Sequence, residues 1–241
     1  MEEVEMDNIL LKYMGNRFQP KIVDPRKGMF RGGPVVTISR ECGCTAINIA
    51  NRMAEKLTLK TGNRWTCLTK EILEHSAKEL NLAPEKIEYV FNSPEKTAWD
   101  DIFAALSSKY YQSDRKIKKT ISDVIRGFAS RGNCIIIGRG GVVLSQNIQR
   151  SFHMKLHAPI AWRAAQLQEI YKLSTKEMVD YAMEIDKKRE ILRNYFNKEP
   201  LSNTVFDVIY NAKNLSEEMI ADASIHLMEL KGVLGKQMVM R

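Results

Sequence analysis

The chain has 241 residues, 44% of them hydrophobic and 27% charged, with Gly 13 and Pro 7. This ordinary globular usage excludes a disordered, collagen-like or linker-like chain, and the length suits one α/β domain with insertions. Lys plus Arg total 37 against 29 Asp plus Glu, a net charge of +8 that favours polyanionic partners such as nucleotides.

No apolar run approaches the roughly 20 residues of a membrane-spanning helix, so no membrane partner is expected. The N-terminus, M-E-E-V-E-M-D, is acidic and lacks the positive region and apolar stretch of a secretory signal. The four cysteines, Cys42, Cys44, Cys67 and Cys134, match neither a disulfide framework nor paired C-x-x-C zinc spacing. They are read as structural, no metal site is assigned, and a reducing cytoplasm is the expected compartment.

Residues 1–33 read as an N-terminal extension. A short helix is expected over Met6–Tyr13, followed by a loop rich in Pro and Gly from Pro20 to Pro34. Covering a sheet edge and forming a homodimer contact are alternative roles for this segment. Val35–Ile38 is a buried strand by its length and bounding turns. Ile47, Ala50, Met53, Ala54 and Leu57 then recur at helical spacing, so strand, turn and helix open a βαβ unit. Trp65–Leu68 is a weaker second strand.

From Lys70 to Arg131 the pattern is helical. Pro84 and Pro94 fit first helical turns, with Ser93 as an N-cap, and Ile117, Ile121, Val124, Ile125 and Phe128 form one amphipathic face. Cys134–Ile137 is a third strand, and Phe152, Met154 and Leu156 alternate with His153, Lys155 and His157 in a fourth. Ser174 and Glu177 form a capping box opening a long helix with Met178, Ala182, Ile185, Leu192 and Phe196 on one face. Asp207–Tyr210 is a fifth strand. Ser216 caps a last helix whose inward stripe is read as Ile220, Ala223, Leu227 and Leu230. Five short strands interleaved with helices predict a parallel sheet covered on both faces.

Three stretches carry candidate chemistry. The loop Ser39, Arg40, Glu41, Cys42, Gly43, Cys44, Thr45 and Ala46 lies between the first strand and helix, where backbone N–H groups can point at a phosphate. Of the Walker pattern it keeps only Gly43; Ala46 stands at the Lys position and Ile47 at the hydroxyl position. Gly138, Arg139, Gly140 and Gly141 follow the third strand, where ligands gather in open α/β sheets. An Arg among glycines there suits a phosphate or carboxylate. Arg163, Arg189 and Arg193 make a third, basic element. Arg189 lies on the apolar stripe of the long helix and shares a face with Arg193, so it lines a cleft or pairs with Asp186 or Glu190. The cluster Arg115, Lys116, Lys118 and Lys119 is read as a solvated helix face, and no nucleic-acid partner is expected from it.

The ordered motifs V-V-T-I-S-R-E-C-G, I-I-I-G-R-G, H-A-P-I-A-W-R, D-K-K-R-E-I-L-R and F-D-V-I-Y-N-A resemble the cytidylate kinase-like family, within the P-loop nucleoside monophosphate kinases, over about residues 34–230. The resemblance implies a P-loop NTPase-like three-layer α/β sandwich. Its five-stranded parallel sheet would run in order 2-3-1-4-5, with a helical monophosphate-binding insertion near 69–130 and a helical lid near 160–200 in a domain over 34–241. It further implies ATP and magnesium as cofactors and a nucleoside monophosphate, such as CMP, as acceptor. Ser39, Arg40, Gly43, Cys44, Thr45 and Ala46 would cradle ATP. Gly138, Arg139 and Gly140 would hold the acceptor phosphate. Arg163, Arg189 and Arg193 would act as catalytic residues closing over the transferring group.

The chain also departs from the family pattern. Cys44, Thr45 and Ala46 follow Gly43 where the family has S-G-G, Gly140 replaces the Asp of G-R-D, and Thr69 stands where an Asp is common. Two alternatives to an active kinase follow: a nucleotide- or phosphate-binding module with a degenerate loop and no turnover, and, from charge alone, a nucleic-acid-binding protein.

Overall fold

The computed structural model describes residues 32–81, 111–197 and 200–235. The helices expected at Met6–Tyr13 and from Pro84 and Pro94 lie outside them. The first strand, β1 (Val35–Arg40), leads to α1 (Ala46–Thr61), β2 (Thr66–Leu68) and α2 (Lys70–Leu80). After α3 (Tyr111–Arg131) come β3 (Cys134–Ile137), the short α4 (Gly141–Ser145) and β4 (Ser151–His157). The helices α5 (Ile160–Tyr171) and α6 (Thr175–Phe196) then form a hairpin, followed by β5 (Val208–Asn211) and α7 (Glu217–Leu230). The sheet has five parallel strands in the order β2-β3-β1-β4-β5, as expected.

Strand periodicity divides the core. Val36, Ile38, Ile135, Ile137, Phe152, Met154 and Leu156 face α1 and α7, while Val35, Cys134 and Ile136 face α2, α3 and α4. Successive side chains alternate across a strand, so β1 and β3 feed both layers; β3 is buried throughout and β1 up to Ser39. No described helix is long and apolar enough to cross a membrane.

Two helical faces differ from the pattern-based reading. In α1, Ile47 is 43% exposed, and Ala46 and Ile49 are buried instead. In α7 the buried stripe is Ile220, Ala221, Ser224, Ile225 and Met228; Ala223 faces out and Leu230 is 72% exposed. A polar residue hides this stripe in the sequence. Ser224 is fully buried because its hydroxyl donates to the Tyr210 hydroxyl at 3.1 Å, which offsets the cost of desolvating it.

The long helix follows its pattern. The Ser174 side chain accepts from the Glu177 N–H, and the Glu177 carboxylate accepts from the Ser174 N–H, as a capping box requires. Met178 and Ala182 are buried, in a small third core with Cys42, Ala164 and Leu167. That core ties the turn after β1 to the α5–α6 hairpin.

At the other end of the sheet, the Asp207 carboxylate accepts from the His153 N–H at 2.8 Å, and Lys231 Nζ lies 2.7 Å from its oxygens. These contacts hold the entry to β5 beside β4. The neighbouring His153 ring bonds Thr37 Oγ1 at 2.7 Å and is buried, which pulls its pKa down to about 4.

Candidate functional site

The turn after β1 is bonded on both sides of the peptide chain. Glu41 N–H donates to Leu156 O at 3.1 Å, and Cys44 N–H to Glu41 O at 3.1 Å. Between them, Cys42 N–H donates to Asp186 Oδ1 of α6 at 2.6 Å, and the Cys42 carbonyl accepts from Arg163 Nη1 at 3.0 Å. Gly43 has φ +88, and a Cβ there would lie 2.7 Å from Arg163 O and 2.8 Å from Arg163 Cβ. Glycine is therefore required by both backbone conformation and close approach.

Arg163 sits behind this turn. Its side chain is 9% exposed; Nε donates to Ala158 O at 2.9 Å and lies 3.3 Å from Glu41 Oε2, while Nη1 reaches Asp186 Oδ2 at 2.6 Å. The Glu41 carboxylate also takes the Ala158 N–H and bonds His157 Nδ1. Arg163 thus joins the first turn to both helices of the hairpin.

Beyond the bonded peptides, the amides of Gly43, Thr45, Ala46 and Ile47 donate to no acceptor among the described residues, and the Thr45 side chain does not cap α1. This is an open helix N-terminus with its dipole unopposed. Ser39 is buried at the end of β1. Cys42 and Cys44 are buried free thiols; burial raises both pKa values, that of Cys44 to about 11, so neither is poised as a thiolate. Ile47, at the hydroxyl position of a Walker loop, offers no oxygen to magnesium. Among the described residues no group of three His, Cys, Asp or Glu side chains could hold a metal ion.

The turn after β3 runs Gly138, Arg139 and Gly140, all left-handed at φ 67, 57 and 70. Gly138 N–H donates to Ile38 O at 2.9 Å, which fixes this turn beside the first. A Cβ on Gly140 would lie 2.6 Å from Phe196 Cδ2 at the end of α6. The Phe196 ring occupies space that the family's Asp would need, a physical reason for glycine here.

The guanidinium of Arg40 reaches over this second turn, its Nη1 3.2 Å from where a Gly138 Cβ would be. Among the described residues it has no hydrogen-bond or ion-pair partner. Burial first, then the neighbouring cations Arg189 and Arg139, lower its pKa to about 10. Arg189 Nη1 donates to Arg40 O at 3.1 Å and lies 3.7 Å from Asp186 Oδ1, so of its expected settings the pairing with Asp186 occurs. Arg193 is a turn further along α6, and burial lowers its pKa. An open cleft of about 440 Å³ between α6 and β4 is lined by Arg40, Lys155, Lys187 and Arg193, with Glu41, Asp186, Glu190, Asn203 and Phe206.

The structure thus brings Arg40, Arg139 and Arg189 together, with Arg193 lining the cleft beside them, and places Arg163 behind the loop. Sequence reasoning named Asp186 only as a pairing partner for Arg189 and gave Glu41 no role of its own, although these two carboxylates organise this region. The signals were available: Glu41 in S-R-E, and Asp186 one turn before Arg189.

The model of the cytidylate kinase-like family matches residues 35–214, well over half of the chain. Among solved structures, an uncharacterized protein from Eubacterium ventriosum ATCC 27560 superposes with a TM-score of 0.58 at 14% identity, covering 81% of this chain and 98% of that one. Shikimate kinase from Bacteroides thetaiotaomicron is more distant, with a TM-score of 0.42 at 13% identity, covering 81% of this chain and 96% of that one. No match was found among curated proteins. The family match supports a kinase-like, nucleotide-binding function, and on its extent the chain belongs to the cytidylate kinase-like family.

Proposed function

We propose that the chain binds ATP and a nucleoside monophosphate, CMP being the first to try, at the carboxyl ends of β1 and β3, and transfers the γ-phosphoryl group between them. The observation that carries this reading is the convergence of Arg40, Arg139 and Arg189 beside open amides of the first turn. Like charges brought together under partial burial repel one another, and a bound anion relieves that repulsion. A polyphosphate supplies that charge, and guanidinium groups match its oxygens in paired geometry.

In this reading the amides of Gly43, Thr45 and Ala46 hold the ATP phosphates, with Ser39 and Cys44 shaping the turn. Arg139, between Gly138 and Gly140, orients the acceptor phosphate. An acceptor oxygen attacks the γ-phosphorus, the bond to the β–γ bridging oxygen breaks, and ADP leaves. Arg40, Arg189 and Arg193 stabilise the charge on the transferring group; Arg163 positions the loop rather than touching phosphate. Such transfer depends on positioning and charge. Ile47 does not fit a magnesium ligand, and no step is assigned to the metal. The α5–α6 hairpin serves as the lid, and α2 and α3 belong to the monophosphate-binding insertion.

The test is thermal denaturation with ATP and with each nucleoside monophosphate. A ligand at 100 times its Kd adds about 2.7 kcal/mol, a shift of roughly 5 to 11 °C for a chain of this size. Arg139→Ala is expected to lower monophosphate affinity at least about tenfold while stability stays within about 0.5 kcal/mol. Unchanged monophosphate affinity in that variant would remove Arg139 from the site.

A second reading, binding without turnover, is favoured by two observations. The Cys42 amide is already bonded to Asp186, and an isoleucine occupies the magnesium-ligand position. Formation of ADP and a nucleoside diphosphate from the best-binding pair decides between the two.

A further inference from the structure

In the first turn the amides of Gly43, Thr45 and Ala46 meet no acceptor among the described residues, whereas the Cys42 amide is taken by a side-chain carboxylate. Cys42 N–H donates to Asp186 Oδ1 at 2.6 Å, and Arg163 Nη1 and Arg189 Nη1 lie 2.6 Å and 3.7 Å from the same carboxylate. A carboxylate meeting one loop amide and two guanidinium groups makes the contacts a phosphate oxygen would make. The carboxylate is delivered from the middle of α6, whose neighbouring residues Met178, Ala182 and Ile185 pack with the Cys42 side chain. The loop and the hairpin are therefore locked together by an ion pair and a small apolar core at one point.

We propose that Asp186 is an internal ligand of the first loop, holding α6 shut over it, and that a polyphosphate binds by exchanging with this carboxylate. The inference rests on the phosphate-binding reading above and extends it to regulation of that site. In the exchange an incoming phosphate oxygen takes over the Cys42 amide and the Arg189 guanidinium as the Asp186 carboxylate leaves. Arg163 stays bonded to Ala158 O, Cys42 O and Glu41. The adjoining amides of Gly43, Thr45 and Ala46 are open, so an entering polyphosphate has a foothold before the carboxylate departs. The free protein would be the self-liganded form and the nucleotide complex the opened one.

The experiment uses the full chain, with Asp186→Ala and Asp186→Asn. The alanine removes the ligand. The asparagine keeps an oxygen for the Cys42 amide and the side-chain volume but removes the charge, so at least one folded variant is secured. Two quantities are read: amide hydrogen exchange over residues 40–46, and affinity for inorganic tripolyphosphate by calorimetry. The expected result is faster exchange at the loop in the alanine variant. Tripolyphosphate should bind about tenfold or more tightly to it than to the unmodified chain, with the asparagine variant between. Unchanged loop exchange in the alanine variant would show that Asp186 does not hold the loop. Faster exchange with equal or weaker tripolyphosphate binding would make Asp186 a scaffold and overturn the competition. If the loop loosens and no form binds tripolyphosphate, the phosphate-site reading itself fails and exchange at that site fails with it, leaving Asp186 as a structural tie.

Discussion

The turn after β1 is held mainly by side chains remote in sequence, whereas the turn after β3 is bonded only through backbone groups, one of them the Ile38 carbonyl of β1, among the hydrogen bonds described above. In the first, Asp186, Arg163 and Leu156 take the polar groups of Glu41 and Cys42. In the second, three successive left-handed residues and the bond from Gly141 N–H to Gly138 O close the turn locally. The two turns leave neighbouring strands of the same sheet, so the difference lies in what lies above them: α5 and α6 over the first, the Phe196 ring over the second. A turn clamped through tertiary contacts can be released by a ligand; a turn built from backbone conformation offers a fixed platform.

The clamp is broken most severely by Arg163→Ala. Removing one partner of a buried, hydrogen-bonded charge pair costs about 3 to 5 kcal/mol, because Asp186 loses the nearer of its two guanidinium groups and Glu41 loses its own. Urea unfolding should show that loss, and a change below about 1 kcal/mol would mean that the clamp contributes little.

Acid tests the strands that lead into the turns. His153 is buried with its pKa lowered to about 4 from an unfolded value of 6.5, first by desolvation and then by the nearby Lys231 cation, against the pull of Asp207. The unfolded chain therefore takes up a proton before the folded chain does. The His153 contribution is nil above about pH 7 and grows more unfavourable as pH falls from 6.5 towards 4, reaching about 3 kcal/mol. Denaturation profiles across that window should steepen by close to one proton, and His153→Asn should flatten them.

The sharpest comparison of the turns themselves uses the same substitution in each. Gly43→Ala forces a side chain against the Arg163 backbone, which cannot retreat, and is expected to cost about 2 to 3 kcal/mol. Gly140→Ala meets the Cδ2–Cε2 side of the Phe196 ring, a side chain rather than backbone, and should cost nearer about 1 kcal/mol. Equal losses in thermal denaturation would show that left-handed strain alone, rather than the clamp above the first turn, sets both costs.

Much of this molecule was legible in its residues. Strand alternation at β4, the apolar runs of β1 and β3 and the capping box at Ser174 are local features, and each depends on contacts within a few residues. The ordered motifs carried the family and hence the strand order. The phase of α7 was not legible, because Ser224 is apolar in effect only once Tyr210 takes its hydroxyl. Nor was the outward placement of Ile47, which depends on which face of α1 the sheet leaves open.

The candidate site divides in the same way. The sequence by itself determined which residues can carry positive charge and where glycine interrupts the turns: Arg40, Arg139, Arg163, Arg189 and Arg193, with Gly43 and Gly138–Gly141. Only the tertiary structure decided which cation is committed and which is open. Arg163 is committed because α6 brings Asp186 against it, 23 positions along the chain, while Arg40 is left beside two other guanidinium groups without a carboxylate partner among the described residues. Charge type is a property of a side chain; its neutralisation is a property of the neighbours that packing supplies.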